Sequence, residues 1–128
     1  MTAAIRFSKM QGLGNDFIVI DATSQNLPQP LPITAMSHRH TGIGCDQVLV
    51  IEPSKHADFF CRIFNNDGSE AKQCGNGLRC VALYLLKNQL HKSKELTIET
   101  LAGVIPIKIY DTANINVQLS APSIQEGR

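Results

Sequence analysis

The segment Gly77-Leu-Arg-Cys-Val-Ala-Leu-Tyr-Leu-Leu-Lys-Asn-Gln-Leu90 determines the architecture of this chain. Apolar side chains recur in it at helical spacing and also fill the remaining faces of the predicted helix: Leu78, Val81, Ala82, Leu83, Tyr84, Leu85 and Leu86. A helix that is apolar nearly all round is normally buried at the centre of a fold. We therefore expect one central helix over residues 77–90, with the rest of the chain wrapped around it.

Segments on both sides of this helix have the pattern of short strands. Alternating or continuous apolar runs predict strands at 5–10, 17–21, 47–52, 58–65, 95–100, 104–110 and 115–120. A short helix is predicted over 33–40, with Thr34 as its N-cap. The three prolines between residues 26 and 32 fit a surface connector better than a polyproline ligand.

The turns between these segments are local. Asn66-Asp-Gly68 is a turn signal, because Asp-Gly supplies the positive φ that a tight hairpin needs. The order of elements predicts an α+β domain, in which a mostly antiparallel sheet or barrel wraps around the central buried helix. It does not predict a doubly wound parallel sheet.

Composition excludes several classes of protein. The 128 residues fit one domain, and 12 Lys plus Arg against 11 Asp plus Glu give a net charge of +1. This balance, with no Trp and 5% aromatic residues, argues against nucleic-acid binding. The longest apolar run, 80–86, is far shorter than the ~20 residues that span a membrane. Residues 1–9 hold no apolar signal-peptide core, so we expect a cytoplasmic protein.

Four cysteines, Cys45, Cys61, Cys74 and Cys80, require an explanation. Disulfides need an oxidising compartment, so we expect free thiols. The spacing of Cys74 and Cys80 does not fit a zinc site, and no histidine pattern completes one, so we expect no metal. Cys61 and Cys80 lie in apolar runs and are predicted to be buried, whereas Cys45 follows a glycine-rich turn and is ambiguous.

Cys74 differs from the others because it directly precedes the predicted central helix. Free N–H groups and the helix dipole favour an anion there, which lowers the pKa of a thiol. Gly75 and Gly77 allow a ligand to approach the backbone, and their N–H groups, with Asn76, are suited to a carboxylate. On spacing alone, a glycine-rich helix cap with an incidental cysteine explains the segment equally well.

Three further loops, at 12–16, 42–47 and 65–68, set amides and carboxylates among glycines. Amide side chains give neutral, directional hydrogen bonds, which suit a zwitterionic ligand. Taken singly, each loop is explained as a turn, and no phosphate-binding motif accompanies the glycines.

Four segments in order resemble the N-terminal half of diaminopimelate epimerase: Phe7-Ser-Lys-Met-Gln-Gly-Leu-Gly-Asn-Asp-Phe17, Gly42-Ile-Gly-Cys-Asp-Gln47, Arg62-Ile-Phe-Asn-Asn-Asp-Gly-Ser-Glu70 and Gln73-Cys-Gly-Asn-Gly-Leu-Arg-Cys80. The resemblance covers essentially the whole chain. It implies a cofactor-independent enzyme, without pyridoxal phosphate, that interconverts LL- and meso-diaminopimelate on the route to lysine and peptidoglycan. It also implies one half of a pseudo-two-fold fold, whose two similar domains each supply one catalytic cysteine.

The resemblance also implies roles for individual residues. Cys74 matches the N-terminal catalytic cysteine, and five residues match substrate-binding positions: Asn15, Gln47, Asn65, Gly75 and Asn76. Cys45 stands where relatives often carry a bulky apolar residue, which favours a packing role for it. The two-thiol mechanism is chemically reasonable, because inverting a stereocentre without a cofactor needs a base on one face and an acid on the other.

The length of the chain qualifies this activity. We expect residues 1–128 to form the N-terminal domain, with the C-terminal domain and its cysteine absent, so that the chain alone is inactive. Two alternatives stay open. One is a related two-domain isomerase of the phenazine-biosynthesis or proline-racemase type, and the other is a non-catalytic association domain. An apolar face left uncovered by the missing half favours a homodimer or other self-association.

Overall fold

The computed structural model describes residues 5–12, 14–72, 75–111 and 114–118. This part of the chain forms β1 (Ser8–Gly12), β2 (Asn15–Asp21), α1 (Ile33–Ser37), β3 (Gln47–Glu52), β4 (Phe59–Asn65), β5 (Glu70–Ala71), α2 (Gly75–Lys87), β6 (Glu95–Thr100), β7 (Gly103–Asp111) and β8 (Asn114–Val117).

The strands form one mixed sheet in the order β1-β2-β3-β4-β6-β7-β8, and β5 pairs with β4. Among the described strands, five pairings are antiparallel. The pairs β2–β3 and β4–β6 are parallel. Helix α2 packs against β1, β2 and β3 and also against β8, so both ends of the sheet reach the same helix. This curled sheet around a helix confirms the predicted α+β class and its mostly antiparallel pairing.

Helix α2 is the centre of the main core. Leu78, Val81, Ala82 and Leu85 are fully buried and face apolar side chains from both ends of the sheet. The helix covers Gly75–Lys87 rather than 77–90. It ends because Gln89 adopts a left-handed φ of 56°, while its N–H and that of Leu90 donate to the carbonyls of Leu86 and Leu85. This is a Schellman termination without the usual glycine, so no residue type in the sequence marks it.

A second apolar cluster lies on the opposite face of the sheet. Ile18 and Ile20 of β2 and Val48 of β3 face α1 and the proline-containing connector, while the alternate residues of both strands face α2. Because β2 and β3 are covered on both faces, their sequences are continuously apolar instead of alternating.

Several predicted element ends differ from the structure. Helix α1 ends at Ser37, and the prediction that Thr34 caps it is wrong, since Pro32 precedes the helix and no side chain caps it. Strands β1 and β2 extend towards each other and leave only residues 13 and 14 between them. The predicted Asp-Gly turn is confirmed, with Gly68 at φ +92° between β4 and β5. Strand β5 has two residues, too few to show any periodicity.

Candidate functional site

Three side-chain amides lie at one end of the sheet. Asn15 is the first residue of β2, Gln47 the first of β3 and Asn65 the last of β4. Strands β2 and β3 run parallel, and Gln47 is paired with Asn65 in the β3–β4 register. We call Asn15, Gln47 and Asn65 the amide cluster.

Two members of the amide cluster face α2. Side chains alternate along a strand, and Leu49 and Ile63, two residues from Gln47 and Asn65, both pack in the core that contains α2. Gln47 Nε2 donates to Asn65 Oδ1 at 2.9 Å, so the two amides are directly bonded. Both side chains are half-buried, which leaves each of them partly open to a ligand.

The first turn of α2 lies next to the same end of the sheet. Gly12 is paired with Asn15 in the β1–β2 register and lies close to the first turns of α2. A Cβ added at Gly12 would lie 3.9 Å from the Asn76 carbonyl oxygen and 3.3 Å from Cys80 Sγ. Gly75 and Asn76 also line an open cavity of about 340 Å³ that reaches Asn116 of β8. The structure therefore brings Asn15, Gln47, Asn65, Gly75 and Asn76 to one end of the domain.

The predicted catalytic cysteine, Cys74, lies outside the described residues. In the sequence it directly precedes Gly75, the first residue of α2. The other three cysteines, Cys45, Cys61 and Cys80, are all buried. Burial raises the pKa of the Cys45 thiol. The hydrogen bond between Cys45 Sγ and Ser37 Oγ, at 3.5 Å, lowers that pKa by a smaller amount. Cys45 is thus a packing residue in the second apolar cluster, the one that faces α1, which resolves its ambiguity in the sequence.

An ionic cluster beside Asn15 was not predicted. Arg39 donates to both carboxylate oxygens of Asp16 at 3.0 Å and to Asp46 at 3.1 Å, and Lys9 lies 3.5 Å from Asp16. The Arg39 hydrogen bonds hold the pKa of Asp16 well below its usual range. The cluster ties the loop after α1 to the start of β2. The two acids flank Asn15 and Gln47 in sequence, but no pattern marks Arg39.

A second hydrogen-bond chain extends from the amide cluster into the β4–β5 turn. Asn65 Nδ2 donates to Ser69 Oγ at 3.0 Å, and the Ser69 hydroxyl donates to Asp67 Oδ1 at 2.6 Å. The hydroxyl and the N–H of Ser69 lower the pKa of Asp67, so this carboxylate is ionised at neutral pH. The residue pattern of this segment predicts a turn, but it does not predict the link to Gln47.

Two other classes of site find no candidate in the described ranges. No helix there is long and apolar enough to cross a membrane. Nor do three or more His, Cys, Asp or Glu side chains of the described residues gather as ligands for a metal ion.

Comparison with known proteins assigns the family. The family model for diaminopimelate epimerase matches residues 7–124. The chain belongs to the diaminopimelate epimerase family. It is 45% identical over 124 residues to the diaminopimelate epimerase of Ectopseudomonas mendocina, covering 94% of this chain and 45% of the relative. It is 46% identical over 121 residues to that of Teredinibacter turnerae, covering 92% and 44%. The chain thus spans about half the length of the curated epimerases it matches.

Solved structures support the fold of this epimerase-family chain. A phenazine biosynthesis protein of the PhzF family from Bacillus anthracis superposes with a TM-score of 0.63, covering 88% of this chain and 38% of that one. The two sequences are 22% identical, so the likeness concerns the fold alone. This likeness therefore supports the fold of the chain, whereas the sequence matches show the diaminopimelate epimerase family.

Proposed function

We propose that this chain is the N-terminal domain of a cytoplasmic diaminopimelate epimerase, acting in the supply of lysine and peptidoglycan precursors. The reaction interconverts LL- and meso-diaminopimelate without pyridoxal phosphate. One observation carries the proposal: the amide cluster and the first turn of α2 share one end of the sheet, in a chain 45% identical to diaminopimelate epimerases.

Each proposed site residue has a role that its chemistry suits. Gly75 and Asn76 offer the unpaired N–H groups of a helix start to the substrate carboxylate, where they stabilise the negative charge that develops when the Cα proton leaves. The amide cluster binds the polar groups of the substrate with neutral hydrogen bonds. Cys74 exchanges the Cα proton on one face, and the helix dipole favours its thiolate.

Epimerisation needs a second acid–base group on the opposite face of Cα. We propose that a second domain of similar fold supplies it, and that residues 1–128 tested alone do not epimerise. Buried Cys45, Cys61 and Cys80 are poor candidates for the second group, because each is enclosed in the core. Water excluded between the two domains would strengthen the hydrogen bonds to the carboxylate.

The test is selective labelling with an electrophilic diaminopimelate analogue, followed by mass spectrometry of the four cysteine peptides. We expect modification at Cys74 only, slowed by added diaminopimelate and by Asn65→Ala. Iodoacetamide serves as the control, since it modifies an exposed thiol without needing the amide cluster. Equal labelling rates in the parent chain and in Asn65→Ala would contradict the proposed substrate site.

A second candidate function, association without catalysis, is favoured by one surface. Leu101, Val104 and Tyr110, around β6 and β7, expose 55%, 45% and 61% of their area. Val104 and Tyr110 lie on the same face of β7, and a contiguous exposed apolar patch marks a contact between chains, whereas scattered apolar side chains do not. Analytical ultracentrifugation of the parent chain and of Tyr110→Ser tests association separately from the substrate site. A homodimer that dissociates in Tyr110→Ser, while labelling of Cys74 is unchanged, would mean that association does not use the substrate site.

A further inference from the structure

A directed chain of hydrogen bonds links the β4–β5 turn to the start of β3. Asp67 Oδ1 accepts from the Ser69 N–H at 2.8 Å and from the Ser69 hydroxyl at 2.6 Å. Asn65 Nδ2 donates to Ser69 Oγ at 3.0 Å, and Gln47 Nε2 donates to Asn65 Oδ1 at 2.9 Å. Three bonds between side chains therefore connect a surface carboxylate with an amide of the candidate site.

The direction of this chain follows from the charge on Asp67. An ionised carboxylate only accepts, so the single hydroxyl proton of Ser69 points to Asp67. The Ser69 oxygen can then only accept, so Asn65 must turn its NH₂ group towards it. The Asn65 carbonyl consequently faces Gln47, which must present its own NH₂ group. The hydrogen-bond network thus dictates the orientation of both amides.

We propose that Asp67 and Ser69 are positioning residues. They orient the two amides so that the carbonyl oxygen of Gln47, and not that of Asn65, is open to a ligand. No donor among the described residues reaches Gln47 Oε1, whereas Asn65 Oδ1 is occupied. The inference rests on the proposed function, which makes both amides substrate-binding residues. An open carbonyl oxygen accepts from a protonated amine, so this position suits the ammonium group of an amino acid.

The test replaces the donating NH₂ group at position 47 with an accepting oxygen and keeps the shape of the side chain. In Gln47→Glu, a carboxylate oxygen replaces the NH₂ group and meets the Asn65 carbonyl oxygen, so two acceptors face each other with no proton between them. We expect the pKa of the introduced carboxyl group, measured by ¹³C NMR on the 128-residue chain, to rise by about one unit above the ~4.3 of a free glutamate. Protonation is favoured because it supplies the missing hydrogen bond.

Removing the Ser69 hydroxyl should abolish this rise in pKa. In Gln47→Glu with Ser69→Ala, Asn65 is free to turn its NH₂ group to the introduced carboxylate, whose pKa should fall to its ordinary value or below. Ser69→Thr keeps the hydroxyl and should keep that pKa raised. Ser93→Ala is the matched control, because it removes a turn hydroxyl that accepts from the Glu95 N–H at 3.1 Å and not from the amide cluster. A merely structural role for Ser69 does not predict this pattern.

An ordinary pKa of the introduced carboxyl group in Gln47→Glu, or a raised one that survives Ser69→Ala, would overturn the inference. If Gln47→Glu does not fold, side-chain amide exchange in the otherwise unchanged chain decides instead. There Ser69→Ala should speed exchange of the Asn65 NH₂ hydrogens roughly fivefold, the factor for a bond worth about 1 kcal/mol. Unchanged exchange would refute the positioning role of Ser69.

Ligand titration separates this inference from the proposed function. Meso-diaminopimelate should shift the Gln47 carbonyl ¹³C signal, and pimelate, which lacks both amines, should not. Failure of both ligands to shift it would contradict the proposed substrate, while the ligand-free titration of Gln47→Glu still decides the orientation of the amides.

Discussion

Gly42 is the residue whose replacement should most disturb the loop beside the candidate site. A Cβ at this position would lie 2.0 Å from the Ala35 carbonyl oxygen and 2.9 Å from that of Met36, and both are backbone atoms that cannot rotate away. Since real Cβ contacts essentially never fall below 3.0 Å, Gly42→Ala must displace the loop from α1 by at least about 1 Å.

The displacement has a calculable cost. The Met36 carbonyl accepts from the N–H groups of Ile43 and Gly44 at 2.9 and 3.0 Å, and both bonds would be lost or lengthened. Two hydrogen bonds at about 1 kcal/mol each, with overpacking of about 1–3 kcal/mol, predict that Gly42→Ala lowers the free energy of unfolding by about 3–5 kcal/mol. The native fold should survive, because domains of this size are stable by about 5–15 kcal/mol.

Urea unfolding followed by circular dichroism measures the loss, and backbone NMR signals locate it. Signals of residues 38–46, including Arg39, should move, while those of β6 and β7 stay. Gly103→Ala is the matched control: its φ is +121° but nothing lies within 4 Å, so it costs only local strain and moves signals at the β6–β7 turn. A loss below about 0.5 kcal/mol in Gly42→Ala, with the loop signals unmoved, would refute the reasoning.

Three other predictions follow from packing, charge and burial. Leu85→Ala, which empties a fully buried position of α2, should cost about 2–5 kcal/mol in urea unfolding, whereas Leu101→Ala, at an exposed position, should cost less than about 0.5 kcal/mol. Because the pKa of Asp16 is lowered by folding, its contribution is complete above the unfolded pKa of about 4 and is lost as pH falls through the folded value. The stability gap between the parent chain and Asp16→Asn should therefore be larger at about pH 7 than at about pH 2.5, and an equal gap at both would contradict the ion pair. Finally, a mild thiol reagent applied to the native chain should leave Cys45, Cys61 and Cys80 unmodified until urea is added, as mass spectrometry can establish.

Periodicity predicted the parts of the fold that depend on local pattern. The bounds of β3 and β6 agree with prediction, and the central position of α2 follows from its uniformly apolar faces. The extension of β1 and β2 was not predictable, because Gln11 and Asp16 pair through their backbones and their polar side chains resemble a loop. The end of α2 at Gln89 was missed because a non-glycine residue adopts the left-handed conformation there.

The candidate site, like the fold, could be predicted from the sequence only in part. Asn15, Gln47 and Asn65 were predicted as substrate-binding residues from the resemblance to the family, and the structure places all three at one end of the sheet, while their binding role stays a prediction. Arg39 and Ser69 were missed, since their roles depend on contacts with residues whose nearness only the fold creates. The catalytic role of Cys74 remains a prediction from the family motif.

Deuterium incorporation at Cα of LL-diaminopimelate in D₂O is the decisive assay for a site shared by two domains. Residues 1–128 should be assayed alone and together with the C-terminal half of the Ectopseudomonas mendocina epimerase, each with Cys74 intact and as Cys74→Ala. We predict no incorporation by the chain alone, incorporation with inversion in the mixture, and loss of both in Cys74→Ala. Incorporation with inversion by the chain alone, or in the mixture that lacks Cys74, would contradict the two-domain, two-cysteine mechanism.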